Sequence, residues 1–107
     1  MDVAREADII AGFDAAEAAF GPVDTVIANA GIAKAGRSTE LSAADITAVV
    51  ETNFTGLYLT AREGARRMAR SRGGEGGSMV LVSSVAGHIL TSGMLWLPWA
   101  LCNALLV

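Results

Sequence analysis

The chain has 107 residues, enough for one small domain and fewer than a complete doubly wound enzyme normally needs. Charged residues make up 18% and hydrophobic residues 52%, and the net charge of -3 carries no basic excess, which argues against a nucleic-acid partner. The single cysteine, Cys102, excludes an internal disulfide framework and fits a reducing cytoplasm, while the lack of a Cys/His cluster excludes a structural zinc site. Met1 is followed at once by Asp2 and Glu6 with no apolar stretch behind a basic start, so no secretory signal is expected.

Asp2 is a good helix cap, and the spacing Ile9, Phe13, Ala16, Phe20 predicts an amphipathic helix from Ala4 to Phe20. Gly21-Pro22 ends it. Thr25-Val26-Ile27-Ala28 follows, a short apolar run with no polar face, which reads as a strand buried on both sides in a parallel sheet. It opens into Asn29-Ala30-Gly31 at its C-terminal end, where α/β proteins bind ligands; the same residues also suit a plain turn.

After a polar loop from Ile32 to Leu41, Ser42 with Asp45 three residues on predicts the start of a second helix, Ala43 to about Ser71. Its expected apolar stripe is Ile46, Val49, Val50, Leu57, Ala61, Ala65 and Met68. Arg66, Arg67, Arg70 and Arg72 at its end suit the negative pole of a helix dipole and read as a solvated terminus. Gly73 to Gly77 is a connector, and Ser78 to Ser84 is a second buried strand turning polar at its end.

Strand, long helix, strand is a βαβ unit. A helix of this length spans about 40 Å and overshoots strands of about 20 Å, so its middle, with Asn53, is expected level with the strand tips. There Asn29, Asn53 and Ser84 converge at one edge. Asn53 lies on the apolar stripe, where its amide needs partners; it equally suits a core amide bridging a helix irregularity near Gly56.

In order and spacing these residues resemble the short-chain dehydrogenases/reductases. Asn29-Ala30-Gly31 is similar to the family's Asn-Ala-Gly motif, Asn53 to its helix asparagine, and Val82-Ser83-Ser84-Val85-Ala86-Gly87 to the segment carrying its active-site serine. Asp2-Val3 resembles the acidic-apolar pair beside the adenine ring. Each motif is weak alone, and together they are specific.

The resemblance implies an α/β fold, part of a Rossmann-type doubly wound parallel sheet in the order helix, strand, long helix, strand, helix. Residues 1–92 would be the central part of that domain and 93–107 an apolar, helical tail unlike the family. It further implies hydride transfer between NAD or NADP and a small-molecule alcohol or carbonyl compound. Ser84 would hydrogen-bond the substrate oxygen, Asn53 would hold a water in a proton relay, and Asn29, Ala30, Gly31, Asp2 and Val3 would line the adenosine side of the cofactor. No metal is implied, and an intact member would be a cytoplasmic homo-oligomer.

Two family parts have no counterpart in the sequence. The glycine-rich turn that holds the pyrophosphate would precede Met1, and Leu97 and Leu101 stand near the places of the Tyr-x-x-x-Lys pair. Tyr58 with Arg62 copies that spacing but lies five residues after Asn53, well around the helix from it, and is rejected as the catalytic acid. His88 reads as a loop histidine. The uncharged stretch from Ile89 onward is long enough for a bilayer, but Gly93, Pro98 and Asn103 and the lack of flanking basic residues argue against a span. The expectation is therefore a fragment of an oxidoreductase, inactive alone. The alternative is a non-catalytic module that pairs its open sheet or its apolar tail with a related subunit.

Overall fold

The computed structural model describes residues 1–37 and 39–84. Helix α1 (Glu6–Phe20) leads to strand β1 (Thr25–Ala28); helix α2 (Ala43–Val50), a π-helical segment (Glu51–Gly56) and helix α3 (Leu57–Met68) follow without a break, and strand β2 (Ser78–Leu81) comes last. The strands pair in parallel, Thr25 opposite Ser78 through Ala28 opposite Leu81. This is the expected strand, helix, strand unit of a partial Rossmann-type α/β fold. The helix expected after β2 and the 93–107 tail, like His88 and Cys102, lie outside the described residues.

The chain divides into two compact units, one of Met1–Asn29 with Gly56–Val82, the other built on Ala30–Thr55 and including Ser83 and Ser84. In the first, Val3, Ile9, Phe13, Val26 and Met68 form one apolar cluster, with Val23, Leu59 and Met79 packed against it. Glycine makes the helix–sheet approach close: a methyl group on Gly64 would stand 2.7 Å from Val26 Cγ2. Branched strand side chains thus pack directly on the α3 backbone.

The molecule departs from several of these expectations. The strands are not buried on both faces: Val26 and Ala28 are buried, whereas Ile27 is 65% and Val80 49% exposed. Alternation sends every second side chain to the face that carries no helix among the described residues. Phe20 does not join the α1 stripe and is exposed, because it is the last helical residue before the chain turns at Gly21 with φ +90°. Helix α1 begins at Glu6 behind Arg5, which caps nothing with its side chain. Asp2 instead closes a local turn, its carboxylate accepting the Ala4 N–H at 3.0 Å.

The long helix contains the irregularity anticipated near Gly56. A π segment adds a residue to the helical ladder and so rotates everything beyond it relative to a regular 3.6-residue repeat. Of the projected stripe Val49, Leu57 and Met68 are buried, whereas Ile46 and Val50, ahead of the segment in α2, are exposed, and beyond it the positions between Leu57 and Met68 are out of phase. Beyond the segment Leu57, Thr60, Glu63, Gly64 and Met68 are buried, while Ala65 is exposed.

Of the basic cluster at the end of α3, Arg66, Arg70 and Arg72 are exposed as expected of a solvated terminus, and Arg67 is not. Arg67 stacks its guanidinium 5.3 Å from the centre of the Phe13 ring. It donates to Glu63 at 2.8 Å, to Asp14 at 2.7 Å and to Glu17, tying α3 to α1. Burial pushes this guanidinium down, but the hydrogen bonds to Asp14, Glu63 and Glu17 outweigh it and hold the group above its usual value. The glycines that follow fold back on the helix end, Gly74 and Gly76 donating their amides to the carbonyls of Ala69 and Met68.

Candidate functional site

In the unit built on Ala30–Thr55, the organising contact is a reciprocal pair. Asn53 Oδ1 accepts the Ile32 N–H at 2.8 Å and Asn53 Nδ2 donates to the Ile32 carbonyl at 2.8 Å. An amide side chain can imitate one rung of a β-ladder in this way, because it offers a donor and an acceptor side by side. Asn53 is 7% exposed, so both of its groups would be costly without these partners. It sits in the π segment, where the altered ladder turns a polar residue inward, and π-bulges are frequent at functional sites.

The pair fixes the loop directly after Asn29-Ala30-Gly31, and the same amide oxygen lies 3.5 Å from where a methyl group on Gly31 would stand. Gly31 and Asn53 are thus brought together. Asn29, Ala30 and Gly31 are exposed at the C-terminal end of β1. Ser84 is half-buried three residues beyond β2, the neighbouring Ser83 is exposed, and both make contacts within the chain.

The same loop is held further on by charge. Ser42 caps α2 by accepting the Asp45 N–H at 3.1 Å, and its hydroxyl donates to the Asp45 carboxylate at 2.6 Å. Lys34, the chain's single lysine, reaches the other carboxylate oxygen at 3.3 Å. The Ser42 hydrogen bond first, and then Lys34, lower the Asp45 carboxyl below its usual value.

In the other unit, Asp2 and Val3 form a corner ahead of α1. The Asp2 amide donates to Asp8 at 3.3 Å and its carbonyl accepts the Arg5 N–H at 3.1 Å. One Asp2 carboxylate oxygen is taken by Ala4; among the described residues the other oxygen and the Val3 N–H make no hydrogen bond. The corner therefore offers an acceptor next to a donor.

Sequence reasoning missed what holds this corner. A methyl group on Gly56 would stand 2.8 Å from the Val3 carbonyl oxygen, so a backbone of the corner is seated on the bare Cα at the end of the π segment. The available signal was a glycine three residues after a helix asparagine. Tyr58, which copies the spacing of a catalytic pair, is 62% exposed on α3. Among the described residues no group of three His, Cys, Asp or Glu side chains could hold a metal, and no helix is long and apolar enough to cross a membrane.

A parallel βαβ unit with an amide-pinned loop after its first strand is part of a Rossmann-type α/β fold. The short chain dehydrogenase family model matches residues 1–95, and the chain belongs to that family. It is 39% identical over 93 residues to an uncharacterised oxidoreductase of Escherichia coli K12, YgfF, covering 86% of this chain and 38% of that protein. It is 34% identical over 88 residues to the NADP-dependent (R)-specific alcohol dehydrogenase of Lentilactobacillus kefiri, covering 82% of this chain and 34% of the enzyme. A crystal structure of a short-chain type dehydrogenase/reductase from Mycobacterium marinum superposes with a TM-score of 0.88 at 26% identity, over 98% of this chain and 41% of that one. The chain thus spans about two fifths of the length of these relatives.

Proposed function

We propose that these residues are the central part of an NAD- or NADP-dependent oxidoreductase that moves hydride between the nicotinamide and an alcohol or carbonyl carbon. The observation that carries the reading is the pin between Asn53 and Ile32. It fixes the loop after Asn29-Ala30-Gly31, the stretch that corresponds to the adenosine-ribose wall of the cofactor site. The Asp2–Val3 corner fits the same group: adenine presents an amino donor beside a ring-nitrogen acceptor, and the corner offers the complementary acceptor and donor.

When bound, the nicotinamide would give or take the hydride. The chain's own share is binding and orientation. The hydroxyl of Ser84 would donate to the oxygen of the substrate as charge develops on it. With both side-chain groups of Asn53 engaged by Ile32, its part in a proton relay would be to fix the loop and to offer further lone-pair capacity to a water. By itself the chain would not turn over. No residue takes the role of the Tyr-x-x-x-Lys acid and base, whose removal costs on the order of 10²–10⁴-fold. The intact protein would work in the cytoplasm, where the lone Cys102 stays reduced.

A second reading, a non-catalytic module that associates with a related subunit or with itself, is favoured by the open sheet face at Ile27 and Val80. Titration of the ¹⁵N-labelled chain with NADH and NADPH separates the two. Saturable amide shifts at Val3 and at Asn29 to Ile32 are expected for the first. Their absence, with a mass above the monomer in sedimentation, would leave the second.

A further inference from the structure

We infer that Gly56 is a positioning residue for the adenine end of the cofactor site, acting through the Val3 carbonyl that rests on it; this builds on the cofactor reading above. Gly56 has an ordinary helical backbone with φ -63°, so nothing in its conformation demands glycine. The demand is space. A methyl group there would meet the Val3 carbonyl oxygen at 2.8 Å, Val3 Cγ2 at 2.9 Å and the Val3 carbonyl carbon at 3.1 Å. Two of these three atoms are backbone, so no rotamer change relieves the contact. The corner itself would have to move.

That corner has little freedom to move without changing shape. Val3 is 8% exposed and belongs to the apolar cluster with Ile9 and Phe13. The Asp2 carbonyl, amide and one carboxylate oxygen are tied to Arg5, Asp8 and Ala4. Pushing Val3 outward therefore displaces the Val3 N–H donor relative to the Asp2 carboxylate acceptor. The π segment, which ends on Gly56, is what brings this particular residue inward opposite Val3, just as it brings Asn53 to Ile32 in the other unit.

Gly64 supplies the control, since it is equally tight but against a side chain of the sheet, 2.7 Å from Val26 Cγ2. AMP is titrated onto the full ¹⁵N-labelled chain and onto Gly56→Ala and Gly64→Ala, with thermal unfolding of each measured alongside. The expected result is about tenfold weaker AMP binding in Gly56→Ala, while Gly64→Ala loses stability but keeps its affinity within about twofold. Equal affinity in Gly56→Ala and the unmodified chain overturns the inference and leaves the cofactor reading intact. No AMP binding by the unmodified chain overturns the cofactor reading and the inference with it. Should Gly56→Ala fail to fold, the unmodified chain decides: a Gly56 amide that stays still while Val3 shifts on AMP addition overturns the inference, and the two moving together supports it.

Discussion

The two units are held by different forces. Met1–Asn29 with Gly56–Val82 rests on an apolar cluster and on Arg67, which gathers Asp14, Glu17 and Glu63 around one guanidinium. In Ala30–Thr55 the only large hydrophobic residue buried among the described residues is Val49, and the order comes from polar pins: Asn53 on Ile32, and Ser42 and Lys34 on Asp45. Apolar packing resists local opening across a whole face, whereas a polar pin can be exchanged for water one group at a time. The loop held by polar pins is therefore expected to open locally at a lower free energy than the apolar cluster does.

The largest expected effect breaks the scaffold. Arg67→Met would keep much of the packing on Phe13 but leave three carboxylates facing one another, one of them the buried Glu63. A loss of about 3 kcal/mol is expected by urea unfolding, reduced from the fully buried case because Asp14 is well exposed. Arg66→Met is the companion variant. Arg66 lies 3.8 Å from Glu63 on an exposed side chain, so a change near zero is expected. Equal losses in the two variants would show that the hub is no more than surface charge.

Within the scaffold the two faces of β1 differ as sharply. Val26→Ala should cost about 2 kcal/mol, because it removes contacts with the cluster and opens space beside Gly64. One residue on, Ile27→Ala should cost under about 0.5 kcal/mol, since that side chain is already 65% in water. Thermal or urea unfolding of the pair reads this directly. If Ile27→Ala were as damaging as Val26→Ala, the open face would be covered in solution. A drop in sedimentation mass in the same variant would identify that cover as another copy.

The polar pin predicts a smaller and more local loss. Asn53→Ala strips the partners from both backbone groups of Ile32, which is half in water and can recover part of the loss. About 1–2 kcal/mol is expected, read as lost hydrogen-exchange protection at the Ile32 amide with the α1 and β1 amides unchanged. Loss of protection throughout the chain would mean that the loop and the scaffold open as one.

The parts of this picture that were legible in the sequence are those set by short-range rules. The β-branched run ending in Asn29-Ala30-Gly31, the Ser42 cap and the alternation of strand and helix follow from local propensity and spacing. The need of Asn53 for partners followed from its place on an apolar stripe. What could not be read was set at long range. The open face at Ile27 depends on which layers cover a sheet, and apolar periodicity in a four-residue strand is the same with one cover or two. The shift from Ala61 and Ala65 to Thr60 and Gly64 follows from one residue added to a helical ladder, which leaves no mark in a 3.6-residue count. Arg67 looked like one of four arginines at a helix end. Only the return of α1 beside α3 brings Asp14 and Glu17, about fifty positions earlier in the chain, to its guanidinium.

The smallest effect tests whether the loop pins are electrostatic at all. The Asp45 carboxyl titrates below its usual value because the Ser42 hydroxyl and the Lys34 ammonium favour its charged form. A depressed pKa in the folded chain adds stability above the unfolded value of about 3.9, and that contribution disappears as the pH falls through the folded value. Protonation therefore loosens the Lys34 and Ser42 contacts only in acid, and stability at neutral pH is unaffected by small pH changes there. Carboxyl carbon shifts followed by NMR should place the Asp45 midpoint below that of an ordinary aspartate. Ser42→Ala should raise the midpoint more than Lys34→Ala does, because the hydroxyl bond is the shorter and the larger cause. High salt should reproduce the Lys34 effect and spare the Ser42 effect, since screening acts on the exposed ion pair and not on a hydrogen bond across 2.6 Å. A midpoint unmoved by either substitution would leave Asn53 as the pin that holds the loop.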